Sequence, residues 1–340
     1  MNELPGLDLD ALREHLDAHL PGLARGPLSA EIVQGGRSNL TYLVTDGTDR
    51  WVVRRPPLGH VLATAHDMGR EHRVMSALAG TGVPVPETLL LCQDDDVIGA
   101  PFYVMRYVPG TVYRKPELTQ RLSVPERRDL SMRLVDVLAD LHSIDPASVG
   151  LGDFGRPEGF LERQVRRWSK QLAASHSRDI EGIEELRDRL AASVPDTARA
   201  AIVHGDYRLD NVIVGDDLRI SAVLDWEMAT LGDPFTDLGL LAVYWEGFRG
   251  IPENPIAKGV GPEYDFPTAR ELLDRYAERS GADLSELDWY AGFGYFKIAV
   301  ILEGIHYRYT RKQTVGEGFD HVGGLVAPLV AQGLAALKEV

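Results

Sequence analysis

The chain has 340 residues, 44% hydrophobic and 26% charged, enough for a sizeable core in one large domain or two lobes. A net charge of −15 argues against nucleic acid as a partner, because that binding rests on Lys and Arg neutralising phosphates. Charges interrupt every apolar stretch, four acidic residues fall within the first 14 positions, and Cys92 is the single cysteine, so the expectation is no membrane span, no secretory signal, no internal disulfide and a cytoplasmic location.

In chain order, Leu9, Leu12, Leu16 and Leu20 stand at helical spacing, and Pro21-Gly22 ends a leading helix over about 8–20. Strands follow at 30–34, 40–45 and 51–55, with a turn over Asp46-Gly47-Thr48-Asp49. A helix is expected from Asp67 to Leu78, then strands around 88–92 and 102–108. Pro109-Gly110 marks a hinge, beyond which helices are expected near 125–143, 158–175, 180–193, 235–248, 267–280, 285–312 and 323–338. The expected architecture is therefore α+β. Residues 1–107 form a lobe with a five-stranded antiparallel sheet and a helix, and residues 108–340 form a mostly helical lobe.

The stretch that carries chemistry is His204-Gly205-Asp206-Tyr207-Arg208-Leu209-Asp210-Asn211, followed 14 residues after Asn211 by Asp225 in Leu-Asp-Trp-Glu. The skeleton His-x-Asp-x-x-x-x-Asn has the Asp-to-Asn step of the protein-kinase catalytic loop. Oxygen-bearing side chains at these spacings suit phosphoryl transfer from a magnesium nucleotide. Asp206 would accept the proton of an attacking hydroxyl, and Asn211 and Asp225 would hold the metal. Asn211–Val214 and Arg219–Leu224 read as a hairpin that would bring Asn211 and Asp225 close.

The pattern resembles the aminoglycoside phosphotransferase-like family, small-molecule relatives of protein kinases. His204-Gly205-Asp206, Asp225-Trp226 and Gly232-Asp233-Pro234 carry the likeness. Val53-Arg54-Arg55-Pro56-Pro57, Ala65-His66-Asp67 and Ile98–Met105 are similar to the branch associated with acyl-CoA dehydrogenases. The resemblance implies a bilobal protein-kinase-like fold, with ATP and Mg2+ bound between the lobes and a small hydroxylated molecule as acceptor. It implies that Gly35, Gly36, Ser38 and Asn39 approach the phosphates, and that backbone groups of Arg106 and Val108 meet the adenine. Kinases of this fold place a cation on the third strand, paired to a helix Glu. Residues 1–107 contain no lysine. Arg54 is the expected cation, with Arg55 as fallback, and Glu71 the partner, because an acid on an apolar helical stripe needs one.

His204, Asp233 and Asp237 read as structural supports. The acceptor could meet Tyr244, Trp245, Glu246, Glu303, His306 and Tyr307, whose aromatic rings and carboxylates suit an amino alcohol, whereas the acyl-CoA-dehydrogenase branch suggests a hydroxylated acyl chain or its thioester. Two rival readings are a non-catalytic nucleotide-binding scaffold and an HD-type metal phosphohydrolase built on His60, His66, Asp67 and His72. The scaffold reading is opposed by the intact Asp206–Asn211–Asp225 set, and the hydrolase reading by the strands that flank its histidines.

Overall fold

A computed structural model of the protein describes residues 4–33, 39–58, 66–175, 177–197, 199–251, 254, 256–313 and 319–337. The chain divides into two compact units, Met1–Gly110 with Ser221–Ala229, and Thr111–Ile220 with Thr230–Val340. The excursion at 221–229 belongs to the first unit for identifiable reasons. Val223 N–H donates to the Pro84 carbonyl at 2.8 Å, and Asp225 pairs with Arg54.

The first unit is built on five strands: β1 (Ser29–Ile32), β2 (Leu40–Thr45), β3 (Arg50–Arg55), β4 (Thr88–Cys92) and β5 (Phe102–Arg106). They form one antiparallel sheet in the order β1-β2-β3-β5-β4. Alternation along β3 buries Trp51, Val53 and Arg55 and turns Val52 and Arg54 to the other face. Trp51 and Val53 join Tyr42, Val44, Phe102 and Val104 in a core that also takes Leu12 and Leu16 of the Leu9–His19 helix. The helix Met68–Leu78 starts at Asp67, whose carboxylate accepts the Arg70 N–H at 3.0 Å, and buries Met68, Glu71, Val74, Met75 and Leu78. Glu71 is thus the one acid in an otherwise apolar stripe.

The second unit is mainly helical. Its helices Phe235–Glu246 and Leu287–Thr310 are apolar on nearly all sides, as central helices must be. They cross at glycines. A Cβ on Gly239 would lie 2.2 Å from the Tyr290 carbonyl oxygen, and one on Gly294 would lie 3.1 Å from that of Gly239. The crossing brings Asp237 and Lys297, one on each helix, to the same loop. The loop is placed by a short antiparallel pair, β6 (Ala201–Val203) with β9 (Thr230–Gly232). β9 has no strand pattern of its own and exists by pairing. After the loop, β7 (Val212–Val214) runs into a turn closed by Gly215 N–H on the Arg219 carbonyl, and then into β8 (Ile220–Val223). Among the described residues no helix is long and apolar enough to cross a membrane.

Candidate active site

In the second unit, Asp206 and Asn211 stand on the loop that leaves β6. Gly205 has φ +84°, a region open to glycine at little cost, so the chain turns sharply before Asp206. A loop turned this way leaves its own amides without ladder partners, and side chains take them. His204 N–H and Gly205 N–H donate to the two oxygens of Asp237 at 2.7 and 2.8 Å. Asp206 N–H donates to His204 Nδ1 at 3.2 Å. The Gly205 carbonyl accepts from Lys297 Nζ at 2.6 Å. Asp237 is fully buried and also meets His142 Nε2 at 3.2 Å. Burial pushes its carboxyl up, but the contacts with His142 and His204 outweigh this and hold it below the ordinary aspartate value.

Asn211 Nδ2 donates to the Asp206 backbone carbonyl and to its carboxylate, each at 2.9 Å. The amide nitrogen is therefore engaged inside the loop and leaves Asn211 Oδ1 as the atom for a ligand. Tyr244 hydrogen-bonds the Asp206 carboxylate, and burial followed by that carboxylate raises its phenol well above the ordinary value. The Arg208 guanidinium lies over the Tyr244 ring at 4.6 Å and pairs with Asp210 at 2.5 Å. Arg208, Asp210, Leu241, Tyr244, Trp245 and Lys258 border a small cleft.

In the first unit, Arg54 and Glu71 belong to a network of side chains. Arg54 Nε stands 3.0 Å from Glu71 Oε2, and Arg54 Nη2 stands 2.6 Å from Asp225 Oδ1. Glu71 also accepts from Asn39 Nδ2 and from the Tyr103 hydroxyl, each at 2.9 Å. Asn39 reaches Glu227 as well, at 3.3 Å. Burial by itself would lower the Arg54 guanidinium, yet Tyr103, Glu71 and Asp225 hold it above the ordinary arginine value. Arg55 faces the opposite way and donates to the carbonyls of Gly6 and Ile98. Asp225 has φ 65° and ψ 59°, a left-handed conformation that costs a non-glycine residue energy.

Each expected metal ligand, taken by itself, suits a hard cation. Asp225 in the first unit offers carboxylate oxygens and Asn211 in the second offers Oδ1, and magnesium takes one or two protein ligands while phosphates and water complete its shell. No group of three or more His, Cys, Asp or Glu side chains able to hold a metal occurs among the described residues. The residues of the HD-type reading fall as follows. Asp67 is a helix cap, His72 packs edge-on against Tyr103, and His60 lies outside the described residues.

Other expected residues fall as follows. Gly35, Gly36 and Ser38 lie outside the described residues. Arg106 N–H is bonded to the Glu87 carbonyl at 2.8 Å and its exposed side chain pairs with Glu87, while Val108 lies in the segment after β5. Of the six acceptor-wall residues, Tyr244 is the one brought to Asp206. Trp245 Nε1 donates to the Pro267 carbonyl at 2.7 Å, and Glu246 accepts the Ala269 N–H at the start of the next helix. Glu303 is buried and holds Arg178 at 2.8 Å and Ser177 at 3.2 Å. His306 packs against Gly323, and Tyr307 carries Arg311 over its ring. The polar atoms of Trp245, Glu246 and Glu303 thus meet partners within the unit. Lys297 and His142 were not singled out from the sequence. The signal for Lys297 was a lone charge in the apolar run Phe296–Val300.

A family model described as the phosphotransferase enzyme family matches residues 29–290. The chain belongs to this family. Rat acyl-CoA dehydrogenase family member 11 is 34% identical over 334 residues, which are 96% of this chain and 43% of that protein. Mouse acyl-CoA dehydrogenase family member 10 is 36% identical over 307 residues, 88% of this chain and 28% of that protein. This member of the phosphotransferase family thus spans less than half the length of those relatives. Among solved structures, a candidate aminoglycoside phosphotransferase from Ralstonia eutropha JMP134 is 35% identical, with a TM-score of 0.82 over 98% of both chains. A thermostable mutant of aminoglycoside phosphotransferase APH(4)-Ia superposes with a TM-score of 0.63 over 98% of this chain and 99% of its own, at 18% identity, a likeness of fold alone. The fold is the protein-kinase-like α+β fold, and the family supports small-molecule kinase chemistry.

Proposed function

We propose that the chain is an ATP- and magnesium-dependent phosphotransferase that moves the γ-phosphate to a hydroxyl of a small molecule. The observation that carries this reading is the Asp206 carboxylate held beside Asn211 on a loop whose amides at 204, 205 and 206 are all taken by side chains. Such preorganisation suits a base that must meet a hydroxyl in one orientation. Asp206 takes the acceptor's proton as the acceptor oxygen bonds the γ-phosphorus and the bond to the β-γ bridging oxygen breaks, releasing ADP. Arg54, kept in place by Glu71, faces the phosphates with a permanent charge. Asn211 and Asp225 would hold magnesium, which when bound neutralises charge on the transferring phosphate. Gly35, Gly36, Ser38 and Asn39 would cover the phosphates, and backbone groups of Arg106 and Val108 would meet the adenine. A relative of known fold has been solved with ATP and streptomycin, which supports the choice of nucleotide.

For the acceptor we favour a hydroxylated acyl chain, free or as a thioester, over an amino alcohol. Kinship to acyl-CoA dehydrogenase family members 10 and 11 supports it. So does the cleft beside Tyr244, where Arg208 and Asp210 offset one another as a pair and Lys258, the other charged residue on its border, would repel a polycation. The test is ADP release with Mg-ATP against three panels: hydroxyacyl thioesters, hydroxylated amines and sugars. Hydroxyacyl compounds should stimulate turnover most. Should no panel raise ADP formation above that of Asp206→Asn, the phosphotransferase reading fails. Should only amines do so, the acceptor assignment alone is wrong.

A further inference from the structure

We propose that Lys297 is a positioning residue for Asp206, fixing the peptide on which that carboxylate is carried. The inference rests on the reading of Asp206 as the base. The Gly205–Asp206 peptide has two polar atoms, and each has one partner from a side chain. Its carbonyl accepts from Lys297 Nζ at 2.6 Å, and its N–H donates to His204 Nδ1 at 3.2 Å. Gly205 sits at φ +84° with no Cβ, so its own backbone does little to restrict the orientation of the peptide that follows. Rotation of that peptide would swing Asp206 away from Asn211. The clamp supplies the restraint that a glycine cannot.

The cost of the arrangement supports a dedicated role. Lys297 is 8% exposed in the middle of the apolar helix Leu287–Thr310. An ammonium is costly to bury and is retained where strong partners meet it. Here they are a charge-assisted hydrogen bond, the Trp168 ring at 5.6 Å, and the nearby charges of Asp206 and Asp237. A neutral donor would satisfy the carbonyl. A lysine does so with a donor long enough to span from the helix, whose approach is set by the Gly239–Gly294 crossing.

The test uses the full chain with Lys297→Met, which keeps most of the stem, Lys297→Arg, which restores a cationic donor, and Val300→Ala, a cavity control on the same helix. Hydrogen exchange of the 203–211 segment is read first, because it needs no substrate. Lys297→Met should speed exchange there by about tenfold, the loss of one charge-assisted bond. Lys297→Arg should recover part of this, and Val300→Ala should leave the segment near wild type. Turnover is read second. Lys297→Met should lower kcat by about tenfold to a hundredfold while the KM for Mg-ATP stays within about twofold. Wild-type exchange of the loop in Lys297→Met overturns the proposal, as does equal loosening by Val300→Ala. If Asp206→Asn turns over like wild type, the base assignment falls instead, and the exchange result still decides whether the clamp exists.

Discussion

Two regions of the molecule, one in each unit, solve the same problem, a buried charge, in opposite ways. In the first unit charges face one another: Arg54 stands on Glu71 and Asp225, and Asn39 and Tyr103 complete Glu71. At the Gly205 turn of the second unit charges face the backbone: Asp237 takes two amides and Lys297 takes a carbonyl. Side-chain pairs have rotatable partners that a ligand can share. Backbone contacts fix the main chain itself. The first arrangement suits a place where phosphates and metal are to be bound, and the second suits a carboxylate that must not move.

The comparison can be broken at its sharpest point by Asp206→Asn. Removal of the base should lower turnover by about a hundredfold or more, with Mg-ATP affinity and melting temperature near wild type. Steady-state kinetics and calorimetry on the same preparation check this, and a large drop in nucleotide affinity would mean that Asp206 serves binding instead.

Asp237→Asn tests whether backbone-facing charge is the less tolerant kind. An amide offers one accepting oxygen where the carboxylate offers two, and its NH2 would oppose a backbone N–H. We expect a loss of about 2–3 kcal/mol in chemical denaturation at neutral pH. The folded Asp237 carboxyl lies below its reference value of 3.8. Its stabilisation is therefore fully present above pH 3.8, and it is lost as pH falls through the lower folded value. The gap between wild type and Asp237→Asn should narrow correspondingly in acid. A gap that widens there would contradict the assigned direction.

Arg54→Lys tests the side-chain network. One ammonium keeps the charge but cannot fork between Glu71 and Asp225, so Mg-ATP affinity should weaken by about tenfold while the fold persists. Arg54→Ala should weaken it further, and Arg55→Ala should hardly affect binding. If Arg54→Lys destabilises the chain as much as Asp237→Asn, the two regions are equally rigid and the contrast is lost.

The smallest effect belongs to a cap outside both regions. Glu271 accepts from Arg128 and from the Thr268 amide and hydroxyl, contacts that pull its carboxyl down to about 2. Its pair with Arg128 is solvent-exposed, so Glu271→Gln should cost less than about 1 kcal/mol. That cost should be present above pH 4.5 and vanish as pH falls towards 2, as thermal melts across that range would reveal.

Much of this was legible before any coordinates. Alternation in β3 put Arg54 and Arg55 on opposite faces, and an acid in the stripe of the Met68–Leu78 helix asked for a cation. Local spacing was enough to group Asp206 with Asn211, because the two stand five residues apart on one loop. The acceptor-wall residues were less legible. Trp245, Glu246 and Glu303 have types that suit ligand binding, but their polar atoms meet Pro267, Ala269 and Arg178, partners distant in sequence. Nor did the spacing of residues distinguish 221–229 as part of the first unit; that follows from Asp225 reaching Arg54 and Val223 reaching Pro84.

The sequence by itself determined the fold class and the residues of the loop, and it favoured Arg54 over Arg55 as the partner of Glu71, because each leaves complementary signs: periodicity for an element, or two opposite charges for an ion pair. Only the tertiary structure decided the backbone partners of Asp237 and Lys297. A charge that binds a backbone amide or carbonyl has a partner present at almost every position of the chain. One letter of the interaction is written in the sequence and the other is not, so the pairing appears only when the two glycine-crossed helices bring both side chains to one loop.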